Sequence, residues 1–414
     1  MNSRRRITLA LLVVAFAGLA AALAGSIHAA TKVGSTITIW TDSNRAAAIT
    51  KAAHAYESAN PGVNVNVVQQ QFGNIENNLG TVAANNAPDV IVAAHDWTGQ
   101  LAANGLVVPL YLSKAQKAEF PKYTLNAFSY GLAVKHLYGL PTQIENIGLV
   151  VNTKLAKVPT SFKQLTSEAL AFKKKHHSKV GIAVQQGSGG DAYHMYPFFS
   201  GLGGYIFGRN KAGNLDPSNI GVANKFFLKH AGMINTWNKE GLINSAVDSS
   251  TAQQLFLSKK VAFWVTGPWN SQLLESSKIP FKVVQVPAIA KPSVPFLGVQ
   301  GFMVTKYAAG HGVAALAQDF VTRYMSKPAN QLSLALAEGR FPASIAAGKK
   351  VHDKVLAEFG KAGKGGVPMP NIPQMNNVWS YLGQAWVVST KGAGATPAAK
   401  AFKTAAHNIA LKIG

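Results

Sequence analysis

Aromatic side chains set beside polar ones at glycine- and proline-marked turns are the residues of this chain best equipped for chemistry. Trp269 follows Gly267-Pro268, Trp379 comes shortly after the stretch Pro370 to Met375, and Tyr193 and Tyr196 follow the glycine-rich turn Gly187 to Gly190. A pyranose ring has an apolar C–H face that stacks on Trp or Tyr, and a rim of hydroxyls that needs charged or amide partners. Each of these aromatics also has an ordinary use in core packing. Trp269 is the least suited to it, because the Gly-Pro before it interrupts regular structure.

Constellations for catalysis are thin. The chain has no Gly-x-Ser-x-Gly elbow, no His-Glu-x-x-His helix and no Walker phosphate loop. Its 11 histidines are dispersed, and His176-His177 sits among lysines. Glycoside hydrolysis needs two carboxylates flanking the bond; Asp96 and Glu145 are the one pair worth testing. The turn 187–190 reads as a flexible turn ahead of a phosphate loop. The absence of cysteine excludes disulfides, a thiol nucleophile, thiolate metal sites and a lipid-modified cysteine. The expectation is a protein that is not an enzyme and carries no cofactor or metal.

The elements that must position these residues follow a β-α-β rhythm. Thr36 to Trp40, Val63 to Gln69 and Val90 to Ala94 have strand patterns, with helical stretches at 46–56 and 75–85 between them. The rhythm recurs: strands at 147–152, 180–184 and 261–265, and helices at 160–176 (capped by Thr160 or Ser161), 222–238 and 250–257. Residues 287–295 read as an irregular Pro-rich stretch leading to a lobe crossing at Gly298 to Gly301, and helices dominate from Gly312 onward. Such a pattern builds mostly parallel sheets covered by helices, which bind ligands at the carboxyl ends of their strands. Asp42 to Arg45 and His95 to Trp97 fall at those ends.

With 414 residues the chain is long for one compact domain and right for two. Arg4 to Arg6, an apolar run to Leu23 and small residues beyond it form a signal-peptide pattern over residues 1–30, with an uncleaved anchor as the alternative. Forty Lys+Arg against 17 Asp+Glu give a net charge of +23, or about +20 once the three arginines of the leader are removed. The longest basic run is Lys173-Lys174-Lys175. The deficit is of acids more than a clustering of bases. It fits an acidic habitat, where surface carboxylates would be protonated, or a basic patch that meets an acidic partner; nucleic acid is not the expected partner.

Over nearly all of its length beyond the leader, the chain resembles the periplasmic maltose/maltodextrin-binding protein family. The likeness is carried by Ile39-Trp40-Thr41-Asp42, Ala87-Pro88-Asp89-Val90, Ile144-Glu145, Gly203-Gly204-Tyr205-Ile206-Phe207, Thr266-Gly267-Pro268-Trp269 and Pro295-Phe296-Leu297-Gly298-Val299. Its narrowest motif is Met369-Pro370-Asn371-Ile372-Pro373-Gln374-Met375, followed by Trp379. The resemblance implies a two-lobed α/β fold of the type II periplasmic-binding-protein kind, each lobe a mixed sheet flanked by helices, with the ligand in the cleft between. The lobes expected from it are 31–144 plus 300–348 and 145–299 plus 349–414. It further implies that Asn44, Arg45, Asp96 and Glu145 bind hydroxyls, that Tyr193, Trp269 and Trp379 stack on rings, and that Asp191 is an acidic pocket residue. Trp97 stands where the family carries Arg, Ala93 where it carries Trp, and Ser380 and Gly383 where it carries Tyr and Arg.

The implied protein is a secreted or periplasmic monomer, the solute-binding subunit of a carbohydrate ABC importer. It would close by hinge motion on a maltodextrin-like oligosaccharide with micromolar affinity, roughly −8 kcal/mol, and deliver it to membrane permease subunits. Trehalose or another gluco-oligosaccharide is the alternative ligand within the fold. Other readings are a binding protein for a polyamine or metal complex, a secreted glycosidase or lyase, and a basic adhesin. Scarce carboxylates leave few ion pairs for acid to break, so the fold is expected to persist to about pH 3, with binding failing first as Asp96 and Glu145 protonate.

Overall fold

The computed structural model describes residues 34–414, so the expected signal segment lies outside the described residues. Two mixed sheets divide the chain. In the larger, Ser35–Thr41 runs parallel between Val63–Gln69 and Val90–Ala94. Phe296–Val304 then lies antiparallel between Val90–Ala94 and Gly139–Asn146, with the short strand Phe341–Pro342 at the edge. In the smaller, Gly148–Asn152 is antiparallel to both Phe281–Val284 and Phe263–Thr266, and Ile182–Val184 lies parallel to Phe263–Thr266. The chain leaves the first sheet after Asn146, returns at Phe296, leaves again beyond Pro342 and rejoins it briefly at Val367–Pro368, parallel to the start of Phe296–Val304, so each lobe is assembled from separated segments.

Each sheet buries its own core. Ile37, Ile39, Val90, Ile91 and Phe302 belong to the first, which is closed by Ile49 and Tyr56 of the helix Ser43–Ala59 and by Phe320. Leu149, Val151, Phe198, Phe263, Trp386 and Phe402 form the second. The inner strands Val90–Ala94 and Gly148–Asn152 are apolar on both faces because helices cover both, whereas the edge strand Val63–Gln69 alternates, with Asn64 and Asn66 exposed. The helix starts obey local chemistry. Asp42 accepts from the backbone of Asn44 and Arg45 to cap Ser43–Ala59, and Ser161 caps Phe162–His176 through Gln164 N.

The sequence reading departs from the structure at Phe296–Val304. The residues expected as a lobe crossing, Gly298 to Gly301, lie inside one continuous nine-residue strand for which no element was expected. Two glycines and the preceding Pro295 mask it, yet it is laddered on both sides. Gly301 is required there: a Cβ would lie 2.2 Å from the Leu140 carbonyl oxygen and 2.9 Å from the Phe128 ring. The helical stretch 222–238 is likewise divided, into Lys225–His230 and Gly232–Glu240.

The Met369 to Met375 run is a latch between the lobes. Asn371 Nδ2 donates toward the carbonyls of Asn126, Ala127 and Ser129 at 2.8–3.1 Å. The fully buried His95 accepts from Val299 N–H at Nδ1 and donates from Nε2 to the Met369 carbonyl, both at 3.1 Å, which fixes the neutral tautomer. Gly99 lets the run approach, since a Cβ there would sit 2.5 Å from Asn371 O. Asn371→Ala should therefore lower stability by about 1–2 kcal/mol, one to two ordinary hydrogen bonds. A urea midpoint unchanged from the parent would show that the latch contributes nothing.

Candidate functional site

Strand ends and helix starts from both sheets converge on an aromatic wall. Tyr193 enters from the first turn of the helix Ala192–Gly201, Trp269 from the turn after Phe263–Thr266, and Trp379 from the helix Asn376–Thr390. Phe296, the first residue of the long strand, joins them. Its ring stacks on Tyr193 at 6.1 Å and meets Trp379 edge-on at 5.8 Å. Trp269 lies 6.3 Å from Tyr193. Tyr193, Trp269 and Trp379 are all half-buried, whereas Tyr196 is buried in the core, stacked on Phe296 at 3.5 Å. The two tyrosines thus take different roles, Tyr193 on the wall and Tyr196 behind it.

A buried charge network faces this wall. Arg45 pairs with Asp42 and, through Nε at 2.9 Å, with Glu338. Arg340 reaches Glu338 at 3.2 Å and Glu145 at 2.5 Å, and its guanidinium stands 5.7 Å from the Trp269 ring. Gln300 Nε2 donates to the other Glu145 oxygen at 3.0 Å. Gly298 forms the floor between them: a Cβ there would lie 3.1 Å from Glu145 Oε1 and 3.2 Å from the Tyr193 hydroxyl. On the first-lobe side, Arg45 covers the Phe72 ring at 4.7 Å and Phe72 packs on Trp97 at 4.8 Å.

The residues singled out by sequence do not share one environment. Asp96, Glu145, Tyr193, Trp269 and Trp379 are brought together. Asp96 Oδ2 accepts from Trp379 Nε1–H at 3.0 Å, a contact that joins segments 283 residues apart. Arg45 is 2 % exposed and committed to its two carboxylates, while Asn44 is exposed at the helix start. Asp191 is occupied as a helix cap: its carboxylate accepts from His194 N–H at 2.8 Å and from Gln185 at 2.7 Å, and pairs with His194 Nδ1 at 2.8 Å. The turn before it is tight because Gly190, at φ +75°, abuts the backbone of Gly383, where a Cβ would lie 2.3 Å away.

What remains open is informative. Asp96 Oδ1, Tyr193 OH, Gln300 Oε1, His194 Nε2 and Glu76 Oε1 are buried with no hydrogen-bond partner among the described residues. An unmet buried polar group costs about 1–3 kcal/mol. Asp96, Tyr193, Gln300 and His194 lie on or beside the aromatic wall, where a polar guest could meet them; other unpartnered atoms, such as Gln331 Oε1 and Trp386 Nε1, lie elsewhere in the fold.

Burial pushes the Asp96 carboxyl up to about 6, against the lowering effect of its own backbone N–H and Trp379. Burial together with the Asp96 charge pushes Glu76 up to about 8. For Glu145 burial also acts upward, but the Arg340 and Arg45 guanidiniums outweigh it and hold the carboxyl below its ordinary value. Of the two carboxyls expected to protonate in acid, Asp96 is thus raised and Glu145 lowered, because only Glu145 has a guanidinium against it. Burial lowers His95 to about 4.

Arg340, Glu338, Gln300, Glu76 and Phe72 were not legible as site residues. Arg340 lies 195 residues from Glu145, and no local pattern announces a pairing at that separation. Phe296 was visible only as part of the Pro295 to Val299 motif. Among the described residues no cluster of His, Asp or Glu could hold a metal ion, and no helix is long and apolar enough to cross a membrane.

Known proteins agree with this architecture. The galactooligosaccharide-binding protein of Bacillus subtilis (strain 168) is 26% identical over 361 residues, which covers 84% of this chain and 82% of the relative. A maltooligosaccharide ABC transporter solute-binding lipoprotein of Streptococcus pneumoniae (strain ATCC BAA-255 / R6) is 24% identical over 367 residues, covering 83% and 81%. The solved structure of the Thermus thermophilus maltotriose binding protein bound with maltotriose superposes with a TM-score of 0.79 at 26% identity, over 91% of this chain and 100% of that one. The family model for bacterial extracellular solute-binding proteins matches residues 51–359. A two-lobed mixed α/β chain with several unmet polar groups beside an aromatic wall, matched by that model over most of its length, belongs to the bacterial extracellular solute-binding protein family.

Proposed function

We propose that this protein is the sugar-binding component of an ABC importer, working outside the cytoplasmic membrane as a monomer, and that it closes on a maltodextrin-like oligosaccharide and hands it to permease subunits. The observation that carries this is the aromatic wall bordered by buried, unpartnered oxygens, which complements a ring with an apolar face and a hydroxyl rim. The names of the relatives support the same class of ligand, with malto- and galacto-oligosaccharides both represented. Tyr193, Trp269 and Trp379 stack on the rings. Asp96 accepts a hydroxyl through its free oxygen; Glu145, held by Arg340 and Gln300, offers its remaining lone pairs and orients the floor. Trp97 extends the first-lobe wall, Asn44 serves at its rim, and Arg45 and Asp191 act through Glu338 and His194. The lobes move as 31–144 plus 300–348 against 145–299 plus 349–414, hinging where the strands cross near Glu145 and Gly298.

The test is a thermal-shift panel of malto-oligosaccharides, galacto-oligosaccharides and trehalose, since a ligand bound only by the folded state raises the melting temperature. A shift with a malto-oligosaccharide alone is the expected result. A shift only with another sugar reassigns the ligand, no shift with any sugar rejects the proposal, and released product after long incubation would mark a hydrolase.

Affinity should also depend on pH. The Asp96 carboxyl titrates at about 6, so its charged acceptor is present above that pH and is lost as pH falls through it, while Glu145 stays ionised. Charge-assisted hydrogen bonds are roughly twice as strong as neutral ones. Affinity is expected to fall about 5- to 10-fold from pH 7 to pH 5, a loss of about 1 kcal/mol. Asp96→Asn should bind weakly and without this dependence; a variant that keeps the parent's pH profile would remove Asp96 from the site.

A further inference from the structure

The end of the second lobe remote from the aromatic wall has a composition of its own. Gln185, Asp191 and Trp269 follow the carboxyl ends of Ile182–Val184 and Phe263–Thr266, so the wall lies at that end of the small sheet. The turns at the amino ends of these strands gather at the opposite pole. Gly181 N–H bonds to Gly241 O, Ser178 Oγ donates to Lys260 O, and Thr153 N–H bonds to Pro280 O at 3.0 Å, so the segments at 152–161, 173–181, 239–241, 257–261 and 277–280 are neighbours.

These segments hold ten lysines and one acidic residue, Glu240. All ten are exposed except Lys173, which is half-buried. None forms an ion pair among the described residues, in contrast to Lys282, which pairs with Glu358 at 2.7 Å. Three of the chain's non-glycine residues at positive φ, His177, Lys259 and Lys278, lie in these turns.

Part of this charge has a local explanation. The helices Phe162–His176, Gly232–Glu240, Ser249–Leu257 and Ser271–Ser276 all end here, and a lysine after the last turn complements the helix dipole. Each helix end is equivalent to about half a negative charge. Counting these ends, Glu240, and the nearby Glu168 and Glu275, about five positive charges remain uncompensated. There is no arginine in these segments to make bidentate contacts and no tryptophan or tyrosine to stack on bases. The chemistry fits a diffuse anionic surface better than a discrete ligand or a nucleic acid.

We propose that this lysine pole rests on the anionic phospholipid surface of a membrane, by charge alone, leaving the sugar cleft at the other end of the lobe free to open. The inference does not depend on which solute the cleft binds. The full chain is to be sedimented with vesicles of phosphatidylcholine alone, and with vesicles containing roughly one-third phosphatidylglycerol. The expected result is retention on the anionic vesicles well above that on neutral ones, abolished at about 0.5 M salt by screening. Reversing four pole charges (K174E, K175E, K259E, K260E) should reduce anionic-vesicle partitioning at least about 100-fold. A control reversing the exposed Lys114, Lys117, Lys400 and Lys403 to Glu, with the same net charge, should retain most of it. Equal retention on neutral vesicles, salt-insensitive retention, or equal loss in the two variants would each overturn the proposal.

Discussion

Arg340→Ala should be the most damaging single substitution in the cleft, lowering stability by about 3–5 kcal/mol at neutral pH, the usual cost of stranding one partner of a buried ion pair. The side chain is 7 % exposed and, among the described residues, is the one guanidinium in contact with Glu145, whose side chain is equally buried. Asp42, Glu338 and Glu145 are held by only two guanidiniums, and the variant leaves one. The deficit should itself depend on pH. In the parent, the depressed Glu145 carboxyl contributes stability above its unfolded value, about 4.3, and loses it as pH falls through the folded value. Without Arg340, burial is opposed only by the Arg45 charge and the Gln300 hydrogen bond, so the Glu145 carboxyl rises from its value in the parent; the penalty is full at neutral pH and relieved on protonation. Urea unfolding at pH 7 and pH 4 measures both. A deficit below 1 kcal/mol, or one that grows toward acid, would contradict the network. The double variant Arg340→Leu, Glu145→Leu should recover much of the loss, because no charge is left alone.

The double variant Trp269→Ala, Trp379→Ala should cost about 2–6 kcal/mol of sugar affinity, taking stacking on nucleic-acid bases at about 1–3 kcal/mol per ring as the nearest measured analogue. The two rings share neighbours but flank different parts of the wall, Trp269 beside His194 at 5.6 Å and Trp379 beside Phe296 at 5.8 Å. Single variants should therefore each show roughly half the effect, measured by calorimetry with the sugar the thermal-shift panel selects. Both rings are only half-buried, so the melting temperature should move far less than the affinity. Trp379→Phe separates stacking from hydrogen bonding: it keeps a ring but loses the donor to Asp96, and should recover part of the affinity while raising the pH of the affinity transition. Intact binding with a collapsed melting temperature would return these residues to the core.

The response to acid has opposing parts. Glu76 and Asp96, raised in the fold, take up protons before the unfolded chain does, so stability from them rises as pH falls from about 8 toward 4. His95, lowered to about 4, works the other way. Its neutral form is required by the Val299 N–H bond, and that stability is present above about 6.5 and lost as pH falls to 4. Glu76 and Asp96 thus favour acid tolerance, while His95 and the depressed Glu145 and Asp191 carboxyls oppose it.

Periodicity and capping, read along the chain, determined the elements: the strands at 63–69 and 90–94, the helix behind the Ser161 cap, and the α/β rhythm that places ligands at strand ends. These are local properties, set by side-chain alternation and by backbone groups within a few residues. Composition determined the absence of thiol chemistry and the excess of lysine. Residue type and turn context placed Trp269, Trp379, Tyr193 and Asp96 among the candidates. Only the tertiary structure decided which candidates remain free to act. Whether Asp191 is a ligand or a cap depends on His194 and Gln185; whether Arg45 is available depends on Glu338, 293 residues away. The strand at Phe296–Val304, the Arg340–Glu145 pair and the Asn371 latch are contacts between distant segments, whose energies come from partners the local sequence does not contain.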